Sequence, residues 1–284
     1  MKLKLSILFF VFSLITLAQQ NFVINGVCLK TDNSKKIYLT YQVNGKGITK
    51  SSEITNNKFV FKGELDYPTR ATICTDPKFH MTTLNSKIFY LEPRTMNVKL
   101  DFDDLNTIVI NESKATDEFN SLQNRAEKEK FQKKMDSIRE SSRLYSVKIS
   151  GTNDSSLKIQ FQESLDSLNQ LWDQLVDQNR NKIRQLELEF TKKNPNSYIA
   201  PDLLYNILTE GDDQIPYDTI NNLYDKLGPE VKKSFAGKQL AERLLDFKNS
   251  RIGSFAPDFV LKDINHNTIR LSSFYKNQYV IETI

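Results

Sequence analysis

Apolar and polar positions keep three different rhythms along this chain. From Asn21 to about Ile110 short apolar runs alternate with polar residues at a spacing of two and are broken by Asn, Gly, Pro and Asp, the pattern of half-buried strands. The runs predict strands at Phe22 to Leu29, Lys36 to Gln42, Ile48 to Ile54, Lys58 to Leu65, Ala71 to Cys74, Ile88 to Leu91, Met96 to Phe102 and Thr107 to Ile110. Val43-Asn44-Gly45-Lys46 and Thr55-Asn56-Asn57-Lys58 carry the residues that turn an antiparallel hairpin, because Gly and Asn accept left-handed backbone. Strands this short and closely spaced predict an antiparallel β-sandwich or barrel-like domain over residues 21–112.

Over residues 113–250 the apolar spacing changes to three and four, which predicts helices. Phe119, Leu122 and Ala126 are followed by Phe131, Met135 and Ile138. Then Leu157, Phe161, Leu165, Leu168, Trp172, Leu175, Ile183, Leu186 and Phe190 trace one face of a long helix. Ser150 to Asp154 is a helix break in which Asn153 or Asp154 can cap the helix that follows, and Asn194-Pro195 stops that helix. Three shorter helices are predicted at Tyr198 to Leu208, Asp218 to Leu227 and Gly237 to Lys248. Two long charged helices with a narrow apolar seam fit an antiparallel hairpin, and a coiled-coil dimer through this region is the rival arrangement.

Residues 251–284 return to a spacing of two. Pro257 keeps Ala256 out of helix, so Ala256-Pro257-Asp258-Phe259 enters extended; Phe259 and Leu261 alternate with Val260 and Lys262, and Asp263 to Asn267 supply a turn. Ile269 and Leu271 alternate again, and Tyr279 to Ile281 fits a buried strand.

Gly253, Ala256-Pro257-Asp258-Phe259, Leu261, Asp263, Leu271-Ser272 and Phe274, in that order before an apolar strand, resemble the entry to the AhpC/TSA and thioredoxin-like superfamily, in particular its exported thiol-disulfide oxidoreductases. The resemblance implies that the apolar strand leads to a Cys-x-x-Cys pair at the start of a helix, which the sequence does not reach. Two departures stand out: the usual Gly after the Asn of the hairpin turn is replaced by His266-Asn267, where Asn267 tolerates the left-handed backbone that keeps the turn, and Glu282-Thr283 sits where a buried parallel strand should stay apolar. A truncated or frame-shifted coding sequence would account for the second, and a Cys-x-x-Cys encoded downstream in another frame would decide it. The FVINGVC, KIYLTY, NNKFVFKGELDYP and FYLEPRTMNVKLDF segments resemble a small β-domain of unassigned function that precedes thioredoxin-like domains in exported proteins. The expected whole is an α+β multidomain chain: the β-domain, a helical connector, and an incomplete thioredoxin-like α/β C-terminus.

The first residues change the expected compartment. Lys2 and Lys4 precede an apolar run from Leu5 to Leu17, with small or hydroxyl residues at Thr16 and Ala18, so residues 1–18 read as a secretory signal peptide. The run is short for a spanning helix, no transmembrane segment follows, and the expected location is the periplasm or cell envelope. A net charge of +4, with Glu127 and Glu129 interleaved among the lysines of the Arg125 to Lys134 stretch, gives no nucleic-acid signature.

Cys28 and Cys74 are the only cysteines, and each falls in a predicted strand. They read as a structural disulfide or as two buried thiols, and spacing does not choose between them. Neither has the neighbours of a redox or metal site, His80 and His266 stand apart, and no cofactor motif or Gly-x-Ser-x-Gly elbow occurs. Asp103-Asp104 and Asp212-Asp213 lie in polar turns and are expected to cap rather than catalyse. No catalytic, cofactor or metal residue is assigned; Gly253, Ala256, Pro257, Asp258 and Phe259 are a structural motif. The family resemblance implies redox ancestry without redox activity in these residues. The alternative is a non-catalytic envelope binding or scaffold protein with a protein partner.

Overall fold

The computed structural model describes residues 20–29, 34–77, 85–125, 128–210, 215–250 and 258–274. Signal residues 1–18, Gly253, Ala256, Pro257 and the strand expected at Tyr279 to Ile281 lie outside them. The chain divides between Lys128 and Glu129 into two compact units, each with its own core.

The first unit holds β1 (Gln20–Leu29), β2 (Lys36–Val43), β3 (Lys46–Glu53), β4 (Lys58–Leu65), β5 (Thr69–Cys74), β6 (Ser86–Leu91), β7 (Thr95–Asp101), β8 (Val109–Asn111) and α1 (Lys114–Arg125). The strands form two four-stranded sheets, β4-β1-β7-β8 and β3-β2-β5-β6. Their inner faces share one core, with Phe22, Ile24, Phe61 and Met96 from the first sheet and Ile37, Leu39, Ile73 and Phe89 from the second. Phe22 meets Tyr41 of the other sheet edge to face, with ring centroids 5.5 Å apart. The result is a sandwich, and the barrel-like option is excluded.

The expectation of a purely antiparallel domain needs a second correction. β1 and β7 pair in parallel, from Val23 with Thr95 to Leu29 with Asp101, an arrangement open to them because five strands intervene between them in the chain. The strand expected from Thr107 to Ile110 is also shifted. Leu105–Thr107 forms a 3-10 turn capped by the Asp104 carboxylate, which accepts from the Asn106 N–H at 3.0 Å, and β8 starts only at Val109. The two turn signals hold: Asn44 and Gly45 have φ of 49° and 79°, and Asn56 and Asn57 have φ of 50° and 61°.

The edge strand β6 is covered by α1. The Thr116 hydroxyl accepts from the Tyr90 N–H at 3.0 Å, the Ser113 hydroxyl donates to the Tyr90 carbonyl at 2.9 Å, and buried Glu92 accepts from the Ala115 N–H at 2.8 Å. These bonds satisfy backbone groups that the sheet leaves open, and they tie α1 to the β-domain.

The second unit holds α2 (Lys128–Gly151), α3 (Ser155–Lys193), α4 (Ala200–Thr209), α5 (Tyr217–Asp225), α6 (Pro229–Lys233), α7 (Phe235–Asn249), β9 (Val260–Lys262) and β10 (Thr268–Arg270). The Asp154 carboxylate starts α3 by accepting from the N–H groups of Ser156 and Leu157 at 2.8 and 3.2 Å. α2 and α3 run antiparallel: Tyr145 packs near Phe161 with centroids 6.2 Å apart, and Arg139 lies over the Trp172 ring. α4, α5, α6 and α7 close a compact core of Leu204, Ile207, Ile220, Val231, Leu240 and Leu244. Four short helices stand where three were expected, because Pro229 at the first position of α6 starts a helix that the apolar spacing alone does not show.

β9 and β10 pair antiparallel, Arg270 with Val260 to Thr268 with Lys262. In the turn, His266 takes the left-handed conformation (φ 63°) that Asn267 was expected to take. Asn267 instead donates its N–H to the Asp263 carboxylate at 2.8 Å.

Candidate functional site

The second unit contains a groove of about 490 Å³ walled by α2, α3 and the end of α4. Its position follows from helical spacing. On α2, Phe131, Met135 and Arg139 recur every four residues; on α3, Trp172, Val176, Arg180, Arg184 and Glu187 recur at four, four, four and three. Both sets therefore face the space between the helices. Met135 and Ile207 are buried, and Trp172 is half-buried in the wall.

Guanidinium and carboxylate groups line the groove together with apolar side chains. The Arg139 guanidinium lies 5.7 Å from the centre of the Trp172 ring, within cation–π range. Arg184 is only 4% exposed, and its Nη2 donates to Glu210 Oε2 at 3.0 Å. Glu187, one turn further along α3, is 9% exposed. Burial, and secondarily the neighbouring Glu210 carboxylate, push its carboxyl up to about 7, against the opposing pull of Arg184. Arg139 and Arg180 are held in exposed pairs with Asp136 and Asp177 on their own helices, at 2.9 and 3.1 Å. Pairs of this kind are weak and exchange readily.

Sequence reasoning did not identify this site. The sequence carries no local mark of it: Arg184 and Glu187 stand beside Ile183 and Leu186 in a helix charged along its length, and only packing buries them.

The cysteines expected to be bonded or buried are free thiols, both fully buried, Cys28 in β1 and Cys74 in β5 of the opposite sheet. Burial raises the pKa of each thiol, with Asp101 adding to the effect at Cys28 and Asp76 at Cys74. Both are therefore protonated and poor nucleophiles at neutral pH. Among the described residues no group of three or more His, Cys, Asp or Glu side chains is placed to hold a metal ion. His80, Asp212 and Asp213 lie outside the described residues.

The two described residues of the C-terminal motif have distinct roles. The Asp258 carboxylate accepts from the Ser272 N–H at 2.9 Å, the Ser272 hydroxyl at 3.0 Å and Arg270 Nη1 at 3.0 Å. It thereby clasps the start of the hairpin to its end. The Phe259 carbonyl accepts from the Leu271 N–H at 3.1 Å beside this clasp, and its side chain stays exposed. The Ser272 N–H, and with smaller effect Arg270, hold the Asp258 carboxyl below its ordinary value. The clasp is thus complete above the unfolded-state pKa and is lost as pH falls through the lowered folded value. Asp258→Ala should speed amide exchange at Ser272 and Leu271 and leave α3 unchanged. Equal exchange in variant and parent would show that the carboxylate holds nothing.

Residues 22–119 match the model of a protein family described as a domain of unknown function, DUF4369. The match covers the strands of the sandwich and the first half of α1, the segment in which the sequence suggested a small β-domain of unassigned function. No curated protein and no solved structure matches the chain.

Proposed function

We propose that the chain is a member of the exported thioredoxin-like (AhpC/TSA) thiol-disulfide oxidoreductase family whose present residues bind rather than catalyse. The observation that carries this reading is the Asp258 clasp. It joins the Ala-Pro-Asp-Phe segment to the Leu-Ser segment through three hydrogen bonds, giving a physical reason for both pieces of the family motif to occur together. Redox chemistry needs an accessible thiolate. Cys28 and Cys74 are buried core residues with raised pKa, so the family chemistry is supplied by none of these 284 residues. The β-domain and the helical region are left with a binding role toward an envelope partner. Export rests on the charged, then apolar, then small-residue order of residues 1–18. Among the described residues no helix is long and apolar enough to cross a membrane.

The test is direct. The purified chain should reduce neither insulin disulfides nor peroxide, and neither thiol should react with a maleimide until denaturant is added. Turnover that survives Cys28→Ser with Cys74→Ser would reveal a catalytic centre elsewhere and overturn the reading. Recovery of the expressed chain in the cytoplasm with residues 1–18 intact would overturn the assignment to the envelope.

A further inference from the structure

We propose that the groove between α2, α3 and α4 is a binding site for a small amphipathic organic anion, a molecule with one carboxylate or sulfonate head on an aromatic or alkyl body. This site is separate from the family assignment and stands or falls independently of it.

Size comes first. A space of about 490 Å³ falls inside the range of about 300–1,000 Å³ typical of small-molecule sites, and the groove offers both kinds of contact such sites use. Its apolar surface comes from Trp172, Met135, Val176 and Ile183, enough to cover one ring system or a short alkyl chain. Trp172 is half-buried, with the Arg139 guanidinium 5.7 Å from its ring centre, so an aromatic wall and a cation stand side by side in the groove.

Charge selects the head group. Three guanidinium groups, Arg139, Arg180 and Arg184, line the groove against the carboxylates of Glu210 and Glu187. Arg184 is already engaged with Glu210 and is buried, so it sets the local potential rather than meeting the ligand first. Arg139 and Arg180 are the exposed pair. Each pairs with an exposed carboxylate three residues away on its own helix, Arg139 also lying over Trp172, and exposed pairs of this kind are weak enough to exchange for a bidentate anion. Glu187 sits deeper, and a carboxyl buried there would repel an anion if it were charged. Its desolvated surroundings favour the neutral form below about pH 7, where the floor of the groove is compatible with an anion above it.

Trp172 is the only tryptophan in the chain, so its fluorescence reports this groove directly. The probe is 8-anilinonaphthalene-1-sulfonate, an aromatic monoanion that absorbs where tryptophan emits, added to the full chain. Trp172 emission should fall saturably with one probe per chain as probe emission rises. N-phenyl-1-naphthylamine has nearly the same body without the charge, and it should bind about tenfold more weakly or worse, since a charge-assisted pair contributes that much. Arg139→Gln with Arg180→Gln should weaken the sulfonate by about tenfold or more and leave the uncharged probe unaffected. Both positions are exposed, and an unchanged thermal midpoint would confirm that the variant folds. Absence of saturable quenching overturns the site. Equal binding of the two probes to the parent chain overturns the anion assignment without needing any variant, and so does unchanged sulfonate affinity in the folded double variant.

Discussion

Glu187→Gln is expected to stabilise the second unit by about 2–3 kcal/mol at pH 8 and by less than about 1 kcal/mol at pH 5. A carboxyl displaced from 4.5 to about 7 on folding represents roughly 3 kcal/mol of preference for the neutral form. The sign follows from proton counting. Between about 4.5 and about 7 the native state holds a proton that the unfolded chain has released, so stability falls as pH rises through this window. Below it both states are protonated and the site is neutral. Above it the native state must carry a buried carboxylate beside Glu210, with Arg184 the compensating charge. Glutamine keeps the shape and the neutrality of the protonated acid and does not ionise. Urea unfolding followed by Trp172 fluorescence at pH 5, 6, 7 and 8 is the measurement, because that residue reports the helical unit alone. Parallel pH profiles for the parent and Glu187→Gln would show that Glu187 titrates in the native state as it does in an open chain.

The contrast between Glu187 and the strand residues shows what a sequence can and cannot carry. The strands were legible because their information is local: a spacing of two, bounded by Asn44-Gly45 and Asn56-Asn57, fixes both strand and turn from neighbours in the chain. Asp154 was legible as a cap for the same reason. The parallel pairing of β1 with β7 was not, since nothing near Val23 announces Thr95 as its partner. α6 was missed because five residues are too few to display an apolar period. The groove was hidden most completely. Phe131, Trp172 and Glu210 become neighbours only when three helices pack, and Glu187 in isolation reads as one more surface charge of a charged helix. Asp258 lies between these cases: the motif drew notice to it, but its partner Ser272 appears only once the hairpin closes.

Gly26→Ala is expected to destabilise the β-sandwich by about 3 kcal/mol, near the upper end of what overpacking one methyl group costs. Gly26 is an inward position of β1 between Ile24 and Cys28, and it pairs across the ladder with Phe59 of β4. The Phe59 ring lies over the glycine. A Cβ at residue 26 would stand 2.0 to 2.3 Å from Cζ, Cε2 and Cε1 of that ring, far inside van der Waals contact. Relief would require the ring to move. Yet Phe59 is 2% exposed and packed edge to face on Phe61, with centroids 5.8 Å apart, so its displacement disturbs the core on both sides. Alanine would gain somewhat less than about 1 kcal/mol over glycine in a strand from the lower entropy of the unfolded chain, too little to offset the clash. The partner residue supplies the control. Phe59→Leu alone loses packing and opens a space over Gly26, into which the new methyl group can enter. The double variant should therefore be more stable than the sum of the single changes, by about 1–2 kcal/mol of favourable coupling. Hydrogen exchange at the β1 and β4 amides measures each variant within the sandwich itself. A Gly26→Ala chain within about 0.5 kcal/mol of the parent, or strict additivity with Phe59→Leu, would mean that the ring moves aside freely and that its place over the glycine contributes nothing to the fold.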